Sequence, residues 1–235
     1  MYKKIVLKLS GEALAGDNKN GNFDDVFIHG LVLQIKEIMS KGTQVSLVIG
    51  GGNFWRGRDS NINMDRTKAD QIGMLATIMN GIYVADAFRQ NGIKAVVQTP
   101  FKCASMTEEF SKDSAIKHLE EGKVVIFAGG IGHPMFSTDT ITALRGAELE
   151  VDMLLFAKNI DGVYDSDPSS NKNAKKIEEM KCEDIIKNGL KVIDLTAASL
   201  CLENKIPVII FGLKEENSII KAVNGEKIGT VVTIK

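Results

Sequence analysis

Cysteine is scarce in this chain. Cys103, Cys182 and Cys201 form an odd set with no C-x-x-C pair, which excludes a disulfide framework and a thiolate zinc site. They read as reduced thiols of a cytoplasmic protein. Histidine is as sparse: His29, His118 and His133 are scattered and form no H-E-x-x-H motif, so the sequence offers no metal signature. No apolar run approaches the roughly 18–20 residues that span a bilayer. At the N-terminus Lys8 and Glu12 interrupt the apolar stretch at once, unlike a signal peptide. An excess of charge is missing too: 29 Lys and Arg against 30 Asp and Glu leave a formal net charge of −1. Such a chain has no polycation to lay along nucleic acid and no basic face for an anionic membrane. Repeats, low-complexity tracts and long linkers are also absent. Two phosphate-binding fingerprints are missing as well. Gly50-x-Gly52 and Gly130-x-Gly132 lack the third glycine of G-x-G-x-x-G, and no G-x-x-x-x-G-K-[ST] occurs. That argues against a dinucleotide-binding dehydrogenase and a P-loop enzyme.

What is present is an ordinary globular composition, 44% apolar and 25% charged over 235 residues, enough for one large domain. Short β-branched apolar runs recur at 5–9, 45–49, 95–97, 124–127, 153–156, 208–211 and 231–234. Most are continuously apolar, the pattern of strands buried on both faces in a parallel sheet. Helix-period segments alternate with them. In 24–41, Ile28, Leu31, Ile35 and Ile38 share one face and Gly42 stops the helix. This predicts an α/β fold, an open, mainly parallel sheet sandwiched between helix layers. A soft division near residue 158 separates two lobes of one continuous sheet, and 161–176, rich in Asp, Ser, Asn and Lys, reads as a surface flap. The segment 69–90 is apolar nearly all round. It is either a central helix or one that meets the sheet with one face and a partner subunit with the other.

The glycines cluster at the predicted carboxyl ends of strands: Ser10-Gly11, Gly50-Gly51-Gly52, Gly129-Gly130-Ile131-Gly132 and Asp161-Gly162. Ligands of open α/β sheets collect there, and amides in tight turns or at helix N-termini cradle anions. Each pair taken alone reads as a tight turn. Lys8 interrupts an apolar strand just before Ser10-Gly11. It either snorkels into solvent or aims its charge at a phosphate that offsets its burial. Arg56, after Gly50-Gly51-Gly52-Asn53, is a phosphate clamp or a surface charge. Asp70, Asp139, Asp152, Asp161, Asp167 and Asp194 lie near predicted element ends. They are helix N-caps, partners of lysines, ligands of hydrated Mg2+, or acceptors for ribose hydroxyls. Trp55 and the methionines read as packing groups.

Five segments in order carry a family likeness: Lys8-Leu9-Ser10-Gly11-Glu12-Ala13-Leu14, Gly50-Gly51-Gly52-Asn53-Phe54-Trp55-Arg56-Gly57, Asp70-Gln71-Ile72-Gly73-Met74-Leu75-Ala76-Thr77, Pro134-Met135-Phe136-Ser137-Thr138-Asp139 and Asp161-Gly162-Val163-Tyr164. With them the chain resembles the bacterial uridylate (UMP) kinases of the amino-acid kinase superfamily, from Lys3 to its end. The resemblance implies one domain over 1–235, with UMP in the 1–158 half and ATP in the 159–235 half. It assigns Lys8, Leu9, Ser10, Gly11, Gly52 and Arg56 to the ATP phosphates, and Asn159, Tyr164 and Asp167 to the adenosine side. UMP falls to Gly51, Asp70 on the ribose, and the loop Ile131, Gly132, His133, Pro134, Met135, Phe136, Ser137 and Thr138. Ile131 and His133 stand where the family has Thr and Asn, which leaves backbone contacts available. Lys8, Arg56, Asp139 and Asp194 are the implied catalytic group, and Mg2+ enters with ATP. The resemblance further implies a homohexamer, with GTP and UTP as effectors. Related folds phosphorylate carboxylates or carbamate, or store ligands without turnover; Asp70 and the 134–139 loop favour a nucleotide acceptor, and Lys8 with Arg56 favours turnover.

Overall fold

The computed structural model describes residues 1–16, 22–55, 64–190 and 192–234. In chain order it runs β1 (Lys4–Leu9), α1 (Gly11–Ala15), α2 (Asp25–Ser40), β2 (Gln44–Ile49), α3 (Arg66–Gln90), β3 (Ala95–Thr99), β4 (Glu108–Glu109), α4 (Lys112–Glu120), β5 (Val124–Phe127), α5 (Thr138–Leu149) and β6 (Met153–Lys158). It continues with β7 (Val163–Tyr164), β8 (Lys176–Ile177), β9 (Glu179–Lys181), α6 (Cys182–Asn188), α7 (Leu195–Glu203), β10 (Val208–Gly212), α8 (Ser218–Asn224) and β11 (Thr230–Thr233).

Among the described residues nine strands form one sheet in the order β4-β3-β5-β2-β1-β6-β10-β11-β9. Every pairing is parallel except β10 with β11. The seven apolar runs read from sequence are all strands of this sheet. Their continuous hydrophobicity follows from helix layers on both faces. β1 alternates between the layers. Ile5, Leu7 and Leu9 pack with Ile28, Leu31, Ile35 and Phe88 of α2 and α3, whereas Val6 joins Ile141, Ala198 and Cys201 of α5 and α7. Period-two alternation therefore puts Lys8 on the α5 and α7 side. The chain moves outward from β1 through β2 to one edge, then returns to β6 on the other flank of β1. β1 thus marks the reversal of strand order, where ligands settle beyond the strand ends.

Helix boundaries follow local chemistry. Asp24 caps α2 by accepting hydrogen bonds from Val26 N and Phe27 N, and Asp65 caps α3 through Lys68 N at 3.1 Å. α3 therefore starts three residues before the apolar segment at 69–90 does. The flap expected over 161–176 contains structure of its own: β7 and β8 close an antiparallel hairpin, Val163 opposite Ile177. Two-residue strands such as β4, β7 and β8 are too short to show an apolar period, and the sequence reading passed over them. Among the described residues, no helix is long and apolar enough to cross a membrane.

Candidate active site

The carboxyl end of β1 delivers Lys8 toward the first turn of α5. Its Nζ lies 3.0 Å from Asp139 Oδ1, with both side chains nearly buried. From the neighbouring β6, Lys158 brings its own Nζ to 3.8 Å from Asp139 Oδ2 and donates to Val192 O. Two ammonium groups thus share one carboxylate. Burial pushes the Lys158 ammonium below its usual pKa, and the nearby positive charge of Lys8 adds to this, while Asp139 opposes it. With Asp194, whose charge also acts on Lys158, the cluster holds two ammonium groups and two carboxylates in a poorly solvated place, and Lys158, 3.8 Å from Asp139, gains most from an added anion.

Asp194, capping α7 through Ala197 N at 2.9 Å, also reaches across to α5. It accepts a hydrogen bond from Ser137 Oγ, and Thr140 Oγ1 lies 3.0 Å from both its oxygens. Ser137 in turn caps α5 through Asp139 N at 2.9 Å. Asp194 thereby locks together the N-termini of two helices, whose dipoles favour a negative charge, and fixes where Asp139 sits. The N-cap reading of Asp194 holds. Asp139, by contrast, is a partner of lysines, because Ser137 supplies the α5 cap.

Facing this cluster, the first two glycine loops touch. Ser10 caps α1, and Gly50 N donates to Leu9 O at 2.9 Å. A Cβ on Gly11 would lie 2.5 Å from both Gly50 O and Gly52 N, so only glycine lets the loops approach this closely. One on Gly51 would meet Ala76 Cβ at 2.8 Å. Arg56 lies outside the described residues.

One face of α3 anchors three loops. Asp70 Oδ2 accepts from Met135 N at 2.8 Å, Thr77 Oγ1 from Gly129 N at 2.7 Å, and Asn80 Nδ2 donates to Gly50 O at 2.7 Å. Met135, at φ 73°, holds a left-handed conformation rare for a side-chain-bearing residue, and its amide is turned toward Asp70. Between α3 and these loops lies a cleft of ≈ 180 Å³. Gly51, Asp70, His133, Phe136, Ser137 and Thr138 line it together with Trp55 and Gly130. Of the remaining loop residues, Gly132 (φ 85°) packs on Pro100, and Ile131 packs partly buried against the core on the α5 and α7 side.

The three residues expected on the adenosine side stand apart, beyond the end of β6. Asn159 is exposed. Tyr164 donates to Asp161 Oδ1 at 2.8 Å, and with Lys176 this holds the Asp161 carboxyl below its ordinary pKa. Asp167 caps a turn through Ser169 N at 2.9 Å. Among the described residues no hydrogen bond or ion pair ties these three to Lys8. Sequence reasoning passed over Asn53, Thr77 and Asn80, and weighed Lys158 only as the alternative to Asn159 for a contact to ATP. The available signal was the one that exposed Lys8: a polar residue interrupting or ending an apolar run, as in Ile78-Met79-Asn80-Gly81-Ile82 and at the end of β6.

Residues 3–212 match the amino acid kinase family. Among solved structures, a UMP kinase from Bacillus anthracis is 33% identical, with a TM-score of 0.95 over 100% of this chain and 97% of its own. A UMP kinase from Ureaplasma parvum is 38% identical, with a TM-score of 0.93 and 99% of each chain covered. A uridylate kinase from Archaeoglobus fulgidus is more distant, 26% identical with a TM-score of 0.74 over 97% of this chain and 99% of its own.

Proposed function

This chain belongs to the amino acid kinase family, and we propose that within it the protein transfers the γ-phosphoryl group of ATP to UMP, giving UDP and ADP. The observation that carries the reading is the pair of ammonium groups, Lys8 and Lys158, gathered on Asp139 at the strand-order reversal. This lies at the same sheet edge as a cleft lined by Gly51, Asp70 and the 133–138 loop. Full-length likeness to two UMP kinases supports the choice of acceptor.

Phosphoryl transfer of this kind asks the protein for positioning and charge neutralisation. The acceptor phosphate is already anionic at neutral pH, so no dedicated base is needed. Lys8 and Lys158 exchange part of their interaction with Asp139 for phosphate oxygens, and Lys8 neutralises the charge of the transferring group while negative charge builds on the β,γ-bridging oxygen, whose bond to the γ-phosphorus breaks as the UMP oxygen bonds to it. Amides of the Gly11 and Gly50–Gly52 loops, and Arg56, complete the cradle. Asp70 takes the ribose hydroxyls with the oxygen not engaged by Met135 N. Asn159, Tyr164 and Asp167 serve the adenosine side. Mg2+ accompanying ATP would supply further charge neutralisation at the phosphates. Asp139, an oxygen donor beside the two lysines, would suit an ion that keeps most of its water, while Asp194 caps α7 and holds Ser137 and Thr140 of α5. A homohexamer in the cytoplasm, working in pyrimidine nucleotide synthesis with GTP and UTP as effectors, completes the proposal.

The test is a coupled assay of ADP release with ATP and each nucleoside monophosphate, plus acetate, glutamate and carbamate as non-nucleotide acceptors. UMP should be the preferred acceptor and UDP the product. Turnover on a carboxylate or carbamate but not on UMP would overturn the reading.

A further inference from the structure

The peptide between Gly50 and Gly51 ends β2 at the border of the acceptor cleft. Its carbonyl is held from below by a residue that the phosphoryl-transfer chemistry does not otherwise use. Asn80, fully buried in α3, donates from Nδ2 to Gly50 O at 2.7 Å and to Asn53 Oδ1 at 2.8 Å. Asn53 returns the bond, Nδ2 to Asn80 Oδ1 at 2.9 Å, and donates its other hydrogen to Asn22 O at 2.8 Å. The two amides form a closed reciprocal pair, and a carbonyl settles the orientation of each. Reversing Asn80 would set its own oxygen against Gly50 O, and reversing Asn53 would do the same against Asn22 O.

In a planar trans peptide the C=O and the following N–H point in opposite directions. Anchoring Gly50 O against α3 therefore aims the Gly51 N–H away from the helix interior. Gly51 lines the cleft beside Asp70 and Ser137. Among the described residues neither Gly51 N nor Gly52 N donates a hydrogen bond. We propose that Asn80, braced by Asn53, is a positioning residue for the reaction: it sets the Gly50–Gly51 peptide so that the Gly51 amide donates to the phosphate of the acceptor nucleotide. The inference rests on the phosphotransferase reading above and extends it to a buried side chain that touches neither substrate.

Asn80→Asp keeps the shape of the side chain but replaces the donor with a carboxylate oxygen facing Gly50 O and Asn53 Oδ1. Asn80→Ala removes the donor and leaves a gap. The proteins are prepared at full length with glycine-selective ¹⁵N labelling, and the Gly51 amide resonance is followed as UMP, and separately inorganic phosphate, is added. In the wild type, UMP should move this resonance. In a folded Asn80→Asp protein the response should vanish and kcat/KM for UMP should fall roughly ten- to a hundredfold, the scale of one hydrogen bond to a charged acceptor. KM for ATP should stay within about twofold, a split that general loosening of the fold would not produce. Wild-type UMP kinetics in Asn80→Asp would overturn the proposal. So would a wild-type Gly51 resonance indifferent to UMP, which decides the matter even if neither variant folds. A wild type that makes no UDP sinks the phosphotransferase reading instead, and the response of Gly51 to inorganic phosphate then decides the orientation of the peptide by itself.

Discussion

Lys8 shows how one residue concentrates the chemistry of this chain. Between Leu7 and Leu9 of a buried strand, an ammonium group is tolerable only with a partner, and the fold supplies Asp139 at 3.0 Å. The cost of burying the Lys8 and Lys158 ammonium groups is what a polyphosphate offsets. If Lys8 neutralises charge on the transferring group, Lys8→Ala should lower kcat by ~10²–10³, the effect of losing one donor to a transition state. Asp139 keeps Lys158 as a partner in that variant, so a cooperative melting transition should remain. The check is UDP formation at saturating nucleotides alongside a melting curve. Near-normal turnover in a folded Lys8→Ala protein would make Lys8 a structural ion-pair partner only. The importance of Lys8 is legible in the sequence because a cation inside an apolar strand is anomalous. Its partnership with Asp139 is not, because 131 positions separate them and only the register of β1 beside α5 joins them.

At the scale of elements, the first two glycine loops act as one unit because Gly11 has no side chain. A methyl group there would press on two backbone atoms at 2.5 Å, neither of which can swing aside. Gly11→Ala should therefore destabilise by ~1–3 kcal/mol through overpacking, a fall in Tm of about 2–4 °C for each kcal/mol in a chain of this size. Gly30 in α2 is the internal contrast, since a Cβ there meets nothing within 4 Å. Gly30→Ala should raise stability by about 0.5–1 kcal/mol, the helix-interior advantage of alanine. Thermal unfolding of both variants checks the pair. Equal effects would mean that loop contact does not constrain Gly11. The helix α3 adds a second lesson. Its capping residue Asp65 and its length follow from local signals, yet its polar anchors Asp70, Thr77 and Asn80 reach three separate loops, and no local pattern distinguishes an anchor from an ordinary polar residue.

Across the whole molecule, the outer face of α3 is left uncovered. Leu75 is 55% and Met79 47% exposed, while Ile72 and Ile82 are half-buried one turn to either side. Apolar residues grouped on a helix whose other face anchors the site mark a surface that association would cover. Sedimentation at micromolar concentration should give a species well above 25.6 kDa, and Met79→Glu should shift it toward the monomer; a wild type that sediments as a monomer would refute this. The parallel α/β architecture is legible in the sequence alone, since strands buried on both faces must be apolar throughout, and so is the position of the glycine loops at strand ends. Its order of loops also carried the family likeness that Bacillus and Ureaplasma UMP kinases share over nearly their full length. That Lys158 joins Lys8 on Asp139, that Asp194 clamps two helix N-termini together, and that Asn80 holds the Gly50 carbonyl emerge from the folded arrangement alone. Burial and capping patterns are written in neighbours along the chain, whereas a charge or a buried amide finds its partner across the sheet, at distances in sequence that no period records.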